Sequence, residues 1–68
     1  MRYAVVIEKT ENNFSAYVPD LPGCVATGAT VGETETEIRN AILFHLEGLR
    51  EDGLTVPAAT SIAEYVET

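Results

Sequence analysis

The sequence predicts an α+β fold in the order β-β-β-α-β, with one helix packed on one face of a mostly antiparallel sheet. Three observations predict it. Residues 2–18 alternate apolar and polar side chains around a polar break. Residues 31–52 carry apolar positions at helical period. A last β-prone run follows Pro57.

The first strand is predicted over Arg2–Glu8, with Tyr3, Val5 and Ile7 on one face and Ala4, Val6 and Glu8 on the other. Thr10-Glu11-Asn12-Asn13 is turn-prone. Phe14–Val18 alternates again, placing Ser15 and Tyr17 opposite Phe14, Ala16 and Val18, so the two runs read as an antiparallel hairpin. The run Pro19-Asp20-Leu21-Pro22-Gly23-Cys24 then excludes both helix and central strand. Each proline fixes its own φ, removes a donor and pushes the residue before it toward extended geometry. Gly23 supplies a positive φ where the chain reverses. On physical grounds this is a rigid strand-to-strand connector.

A third strand is expected over Val25–Ala29. Thr30 is a good N-cap, with Glu33 at capping-box spacing, and Gly53 follows the helix end near Asp52. Val31, Thr34, Ile38, Ala41, Ile42, His45 and Leu49 form the predicted buried stripe. Leu43 and Phe44 fall outside it, as partly exposed apolar residues, as cover for the C-terminal segment, or as a contact with another chain. Gly48 costs about 1 kcal/mol relative to alanine in a helix interior. Its plain reading is relief of a crowded crossing with a strand; the alternative is close approach by a partner. Ser61–Val66 is expected as the last strand, carrying Ile62, Tyr65 and Val66.

Sixty-eight residues make one domain with a small core. Eleven acidic residues against four basic ones leave a net charge of −7. That disfavours direct nucleic-acid binding, which needs clustered Lys and Arg, and favours a basic partner. Cys24 is the only cysteine, so no disulfide is available and a reducing, cytoplasmic compartment is expected. No apolar run is long enough to span a bilayer, and the N-terminus lacks signal-peptide architecture, so no membrane association is expected.

No catalytic set emerges. Cys24 and His45 are the only candidates for a nucleophile and base, and each reads more simply as packing. No His or Cys spacing suits a metal, no glycine-rich phosphate loop is present, and Glu33, Glu35 and Glu37 diverge around a helix. No cofactor and no enzymatic activity are expected.

Several segments in one order carry a family resemblance. They are the hairpin of residues 3–18, Val-Pro-Asp-Leu-Pro-Gly-Cys at 18–24, and Thr27-Gly28-Ala29-Thr30 opening the helix. His45-Leu46-Glu47-Gly48-Leu49 follows within the helix, then Glu51-Asp52-Gly53 and Val56-Pro57. Together they resemble the HicB antitoxin family over roughly residues 3–57. One departure is Ala29, where the family often has an acidic residue. The resemblance implies a partial ribonuclease-H-like or double-stranded-RNA-binding-like topology, with the last strand beside the first. It implies a small basic toxin of HicA type as partner, neutralised by occlusion. An orphan regulatory domain without a toxin is the alternative, and a degenerate nuclease a remote one. Residues 1–68 read as a single HicB-like domain without the C-terminal DNA-binding module common in the family. Leu43, Phe44, Glu47, Glu51 and Asp52 are the expected partner-contact set. Ala4, Val6 and Tyr17, on the sheet face the helix cannot cover, are expected to make a homo-oligomer, most simply a dimer.

Overall fold

The computed structural model describes all 68 residues. Three strands, β1 (Val6–Lys9), β2 (Phe14–Tyr17) and β3 (Val25–Gly28), precede one helix, α1 (Val31–Glu51). The strands form an antiparallel sheet in the order β1-β2-β3, and α1 covers one face, chiefly over β2 and β3. The fold is therefore α+β, as expected.

The hairpin register pairs Val6 with Tyr17 and Ile7 with Ala16. On the other side of β2, Tyr17 pairs with Val25 and Ala16 with Ala26. The inner face thus carries Ile7, Ala16 and Ala26 across the sheet, and the outer face carries Val6, Tyr17 and Val25. β1 begins at Val6, later than the alternation suggested. Its partner strand ends at Tyr17, and Pro19 beyond it has no donor to continue the ladder. Tyr3 and Val5 still pack against the core.

Residues 18–24 form two successive tight turns. Leu21 N–H donates to the Val18 carbonyl at 3.0 Å, and Cys24 N–H donates to the Leu21 carbonyl at 3.1 Å. Each turn has its proline at the second position, where the ring presets φ. Gly23 takes φ +83 at the third position of the second turn, which an L side chain resists. The double turn drives Leu21 fully into the core beside Val18 and Cys24.

Helix α1 starts at Thr30, whose Oγ1 accepts from the Glu33 N–H at 3.0 Å. Glu33 reaches back to the Ala29 N–H, one residue before the N-cap, rather than to the cap itself. The helix ends in a Schellman arrangement. Gly53, at φ +70, donates to the Arg50 carbonyl, and Leu54 N–H donates to the Leu49 carbonyl at 2.9 Å. Thr34, Ile38 and Leu46 are buried, with Ala41, Ile42 and Leu49 packed beside them. Val31, expected on the buried stripe, is exposed, and His45 is half-buried.

Two expectations are corrected. Ser61–Val66 does not form a strand. The N–H groups of Thr60 and Ser61, where it would begin, donate to the Asp20 carboxylate, both at 2.9 Å, and not to a neighbouring strand. Beyond that point Ile62, Tyr65 and Val66 bury little against the rest of the chain and stay almost fully exposed. Their β propensity reflects packing they do not obtain. Gly48, for its part, relieves no crowded crossing: a Cβ built there meets nothing within 4 Å. The tight approach lies instead at Gly28, where a Cβ would stand 2.6 Å from Thr34 Oγ1 and 2.7 Å from the Thr34 backbone nitrogen.

Candidate partner-binding surface

Cys24 is a free, buried thiol, and burial pushes its pKa up, away from the reactive thiolate. No group of three or more His, Cys, Asp and Glu side chains converges on a point. What the protein presents outward is surface, and three parts of it stand out.

The first is the exposed side of α1. Helical geometry separates neighbouring residues by about 100° around the axis. Phe44, Glu47 and Glu51, at i, i+3 and i+7, therefore share one exposed stripe, with Phe44 79% exposed. Leu43, 60% exposed, turns toward the other flank. It borders a groove of about 540 Å³ between α1 and the N-terminal segment, with Tyr3, Val5, Ile7, Ile38 and Ile42. Asp52 is the helix C-cap. The predicted contact set is thus divided: Phe44, Glu47 and Glu51 come together, while Leu43 belongs to the groove.

The second is the uncovered sheet face. Val6 and Tyr17 are direct cross-strand partners there, as the alternation suggested. Ala4 lies two residues before Val6, half-buried. The register adds Val25, 65% exposed, to the same row. The sequence carried a signal for it, because the double turn fixes which β3 residues fall opposite Tyr17.

The third is Asp20, read in the sequence only as part of the connector. Its carboxylate accepts from the N–H groups of Thr60 and Ser61, from the Thr60 hydroxyl at 3.3 Å and from the Ser61 hydroxyl at 2.7 Å. The Ser61 bonds, ahead of those from Thr60, hold the Asp20 pKa below its ordinary value. Tyr3 adds a second tie, donating from its hydroxyl to the Pro57 carbonyl. Asp20 therefore anchors the chain beyond the helix to the double turn, a role invisible without knowing where residues 60 and 61 lie.

Comparison with known proteins gives this surface its context. Residues 3–68 match the family model described as HicB-like antitoxin of bacterial toxin-antitoxin system. The chain belongs to the HicB-like antitoxin family. Its fold matches a chain of a HicA3 and HicB3 toxin-antitoxin complex with a TM-score of 0.76 at 30% identity, covering 88% of this chain and 70% of that one. An uncharacterized 14.9 kDa protein from the rep-hol intergenic region of Haemophilus phage HP1 is 38% identical over 66 residues. That match takes in 97% of this HicB-like chain, which spans 50% of the phage protein's length. A UPF0150 protein of Helicobacter pylori is 45% identical over 49 residues, covering 72% of this chain and 68% of the relative. No helix of this HicB-like protein is long and apolar enough to cross a membrane.

Proposed function

We propose that this HicB-like protein neutralises a small basic RNA-cleaving toxin of HicA type by covering it, without doing chemistry of its own. The likeness to a chain of a HicA3–HicB3 complex carries the reading. The net charge of −7 supports it, because carboxylates can occupy positions where a ribonuclease would bind substrate phosphates. Phe44 supplies an apolar anchor and Glu47 and Glu51 a charged rim, the usual anatomy of a specific interface. On this reading charge sets the association rate and Phe44 the residence time. Direct nucleic-acid binding by the isolated chain is not part of the function, and the site of action is the cytoplasm. The row Val6, Tyr17 and Val25, with Ala4 at its margin, serves self-association into a dimer.

Co-expression with the neighbouring small reading frame tests the proposal, scored by growth rescue and co-purification. Phe44→Ala should weaken rescue more than Glu11→Gln on the hairpin turn. Equal rescue by both variants removes the helix face from the interface. A neighbour that is neither toxic nor co-purifying removes the toxin reading itself.

A further inference from the structure

β3 is an edge strand with no protection. Natural sheet edges are usually blunted by charge, proline, a bulge or a covering segment. The β1 edge has Glu8 and Lys9, and the segment anchored at Asp20 passes on that side, where Tyr65 nears Ile7 and Phe14. β3 reads Val-Ala-Thr-Gly and has none of these devices. Its outward groups can be assigned. Val18 N–H donates to the Cys24 carbonyl at 3.3 Å, so residues 18 and 24 form a hydrogen-bonded pair. Alternation along the ladder then turns the N–H and C=O of Val25 and Thr27 outward, away from β2.

Gly48 gives an independent pointer. Leu43 and Arg39 line the groove on the β1 side of α1, so the opposite flank, carrying Glu37, Phe44 and Gly48, lies toward β3. Glycine here weakens the helix, and no neighbour within the chain explains it, since the space beside it is open. Phe44 stands one turn away with its ring in solvent. The open position beside an exposed aromatic ring leaves room for a side chain of another molecule.

We infer that the β3 edge and the Phe44–Gly48 flank form one docking face, to which a basic partner protein adds an extended strand. The inference deepens the proposed function and rests on it. A second copy fits less well, because pairing β3 with β3 across a two-fold axis brings the Glu37 side chains of both copies to the junction. A basic partner meets Glu37 and Glu51 with charges of opposite sign. Distance along the helix also fits: Phe44 and Gly48 lie about 15 and 21 Å beyond Thr34, which packs on Gly28, within the reach of a strand of about seven residues.

The test is hydrogen exchange and affinity on the complex with the basic product of the neighbouring reading frame. The Val25 and Thr27 amides should exchange fast in the isolated protein and become protected in the complex. Thr27→Pro removes an outward N–H without breaking a ladder bond inside the chain, and should weaken binding at least about tenfold. Gly48→Leu should do the same while raising the thermal midpoint, which separates loss of the face from loss of the fold. A complex that forms with unprotected β3 amides, or that tolerates both variants, overturns the inference and leaves the toxin reading standing. Protection in the isolated protein at high concentration gives the edge to a second copy and overturns it too. Absence of any complex with the wild-type protein overturns the toxin reading and this inference with it.

Discussion

Replacing Gly28 by alanine should remove about half of the protein's stability, although one methyl group is added and no charge or hydrogen bond is removed. The new Cβ would stand 2.6 Å from Thr34 Oγ1, 2.7 Å from its backbone nitrogen and 3.0 Å from its Cα. Thr34 cannot step aside. It is fully buried, its N–H donates to the Thr30 carbonyl at 2.9 Å, and its hydroxyl donates to the same oxygen at 2.7 Å. The first turn of α1 would have to lift from β3 as a unit. Overpacking of this kind costs about 1–3 kcal/mol, and contact with backbone places it at the upper end. Gly28 has no positive φ, so alanine there also gains up to about 1 kcal/mol by restricting the unfolded chain. The net loss is about 2 kcal/mol, against a total of about 3–5 kcal/mol for a core this small. Urea denaturation followed by circular dichroism should show the midpoint fall by roughly half. Gly48→Ala is the control of opposite sign, with an expected gain of up to about 1 kcal/mol, because its Cβ enters open space. A midpoint for Gly28→Ala at or above wild type would refute the steric argument. Rescue by Thr34→Ala would locate the clash in the hydroxyl alone and refute the backbone part of it.

Two further outcomes follow from local chemistry. Thr30→Ala removes the oxygen that accepts from the Glu33 N–H and should cost about 1 kcal/mol in the same denaturation assay, with wild-type stability as the contrary result. Asp20→Asn should speed amide exchange at Thr60 and Ser61 without moving exchange in the core, and unchanged exchange would contradict the anchor. Because the folded-state pKa of Asp20 is depressed, the anchor's contribution is present above the ordinary aspartate pKa and is lost as the pH falls through the lower folded value. Tail exchange in the wild-type protein should therefore match that of the variant only in that acidic range.

The parts of the fold legible in the sequence are those set by a local constraint. Pro19, Pro22 and Gly23 admit few backbone paths, and the double turn follows from them. Thr30 and Gly53 mark the two ends of α1 for the same reason. Strand alternation placed Val6 and Tyr17 on one face, and the register confirms that they are partners. Leu46 was missed because the buried line is not parallel to the helix axis. Thr34, Ile38, Ile42 and Leu46 recur every four residues, so the line drifts about 40° per step around a helix of 3.6 residues per turn. A stripe centred on Ile38 loses it by Leu46. The last strand expected from β propensity does not form, because that propensity describes a side chain and not the presence of a neighbour to pair with. Asp20 already holds the donors with which that strand would have begun.

The candidate site was harder to read than the fold, because a surface side chain has no internal packing to answer to. Leu43 and Phe44 are adjacent in sequence and both apolar, yet one borders the groove beside β1 and the other stands on the opposite flank. Nothing in their identities distinguishes them. Gly48 is the exception. A glycine inside a helix weakens it, so it invites a reason, and the reason is sought first within the chain. At Gly28 that reason is present as Thr34; at Gly48 the surrounding space is open. The same residue type thus marks packing inside the protein at one position and, on the present reading, packing against another molecule at the other. Only the geometry separates the two, and the opposite stability responses of Gly28→Ala and Gly48→Ala are its direct measure.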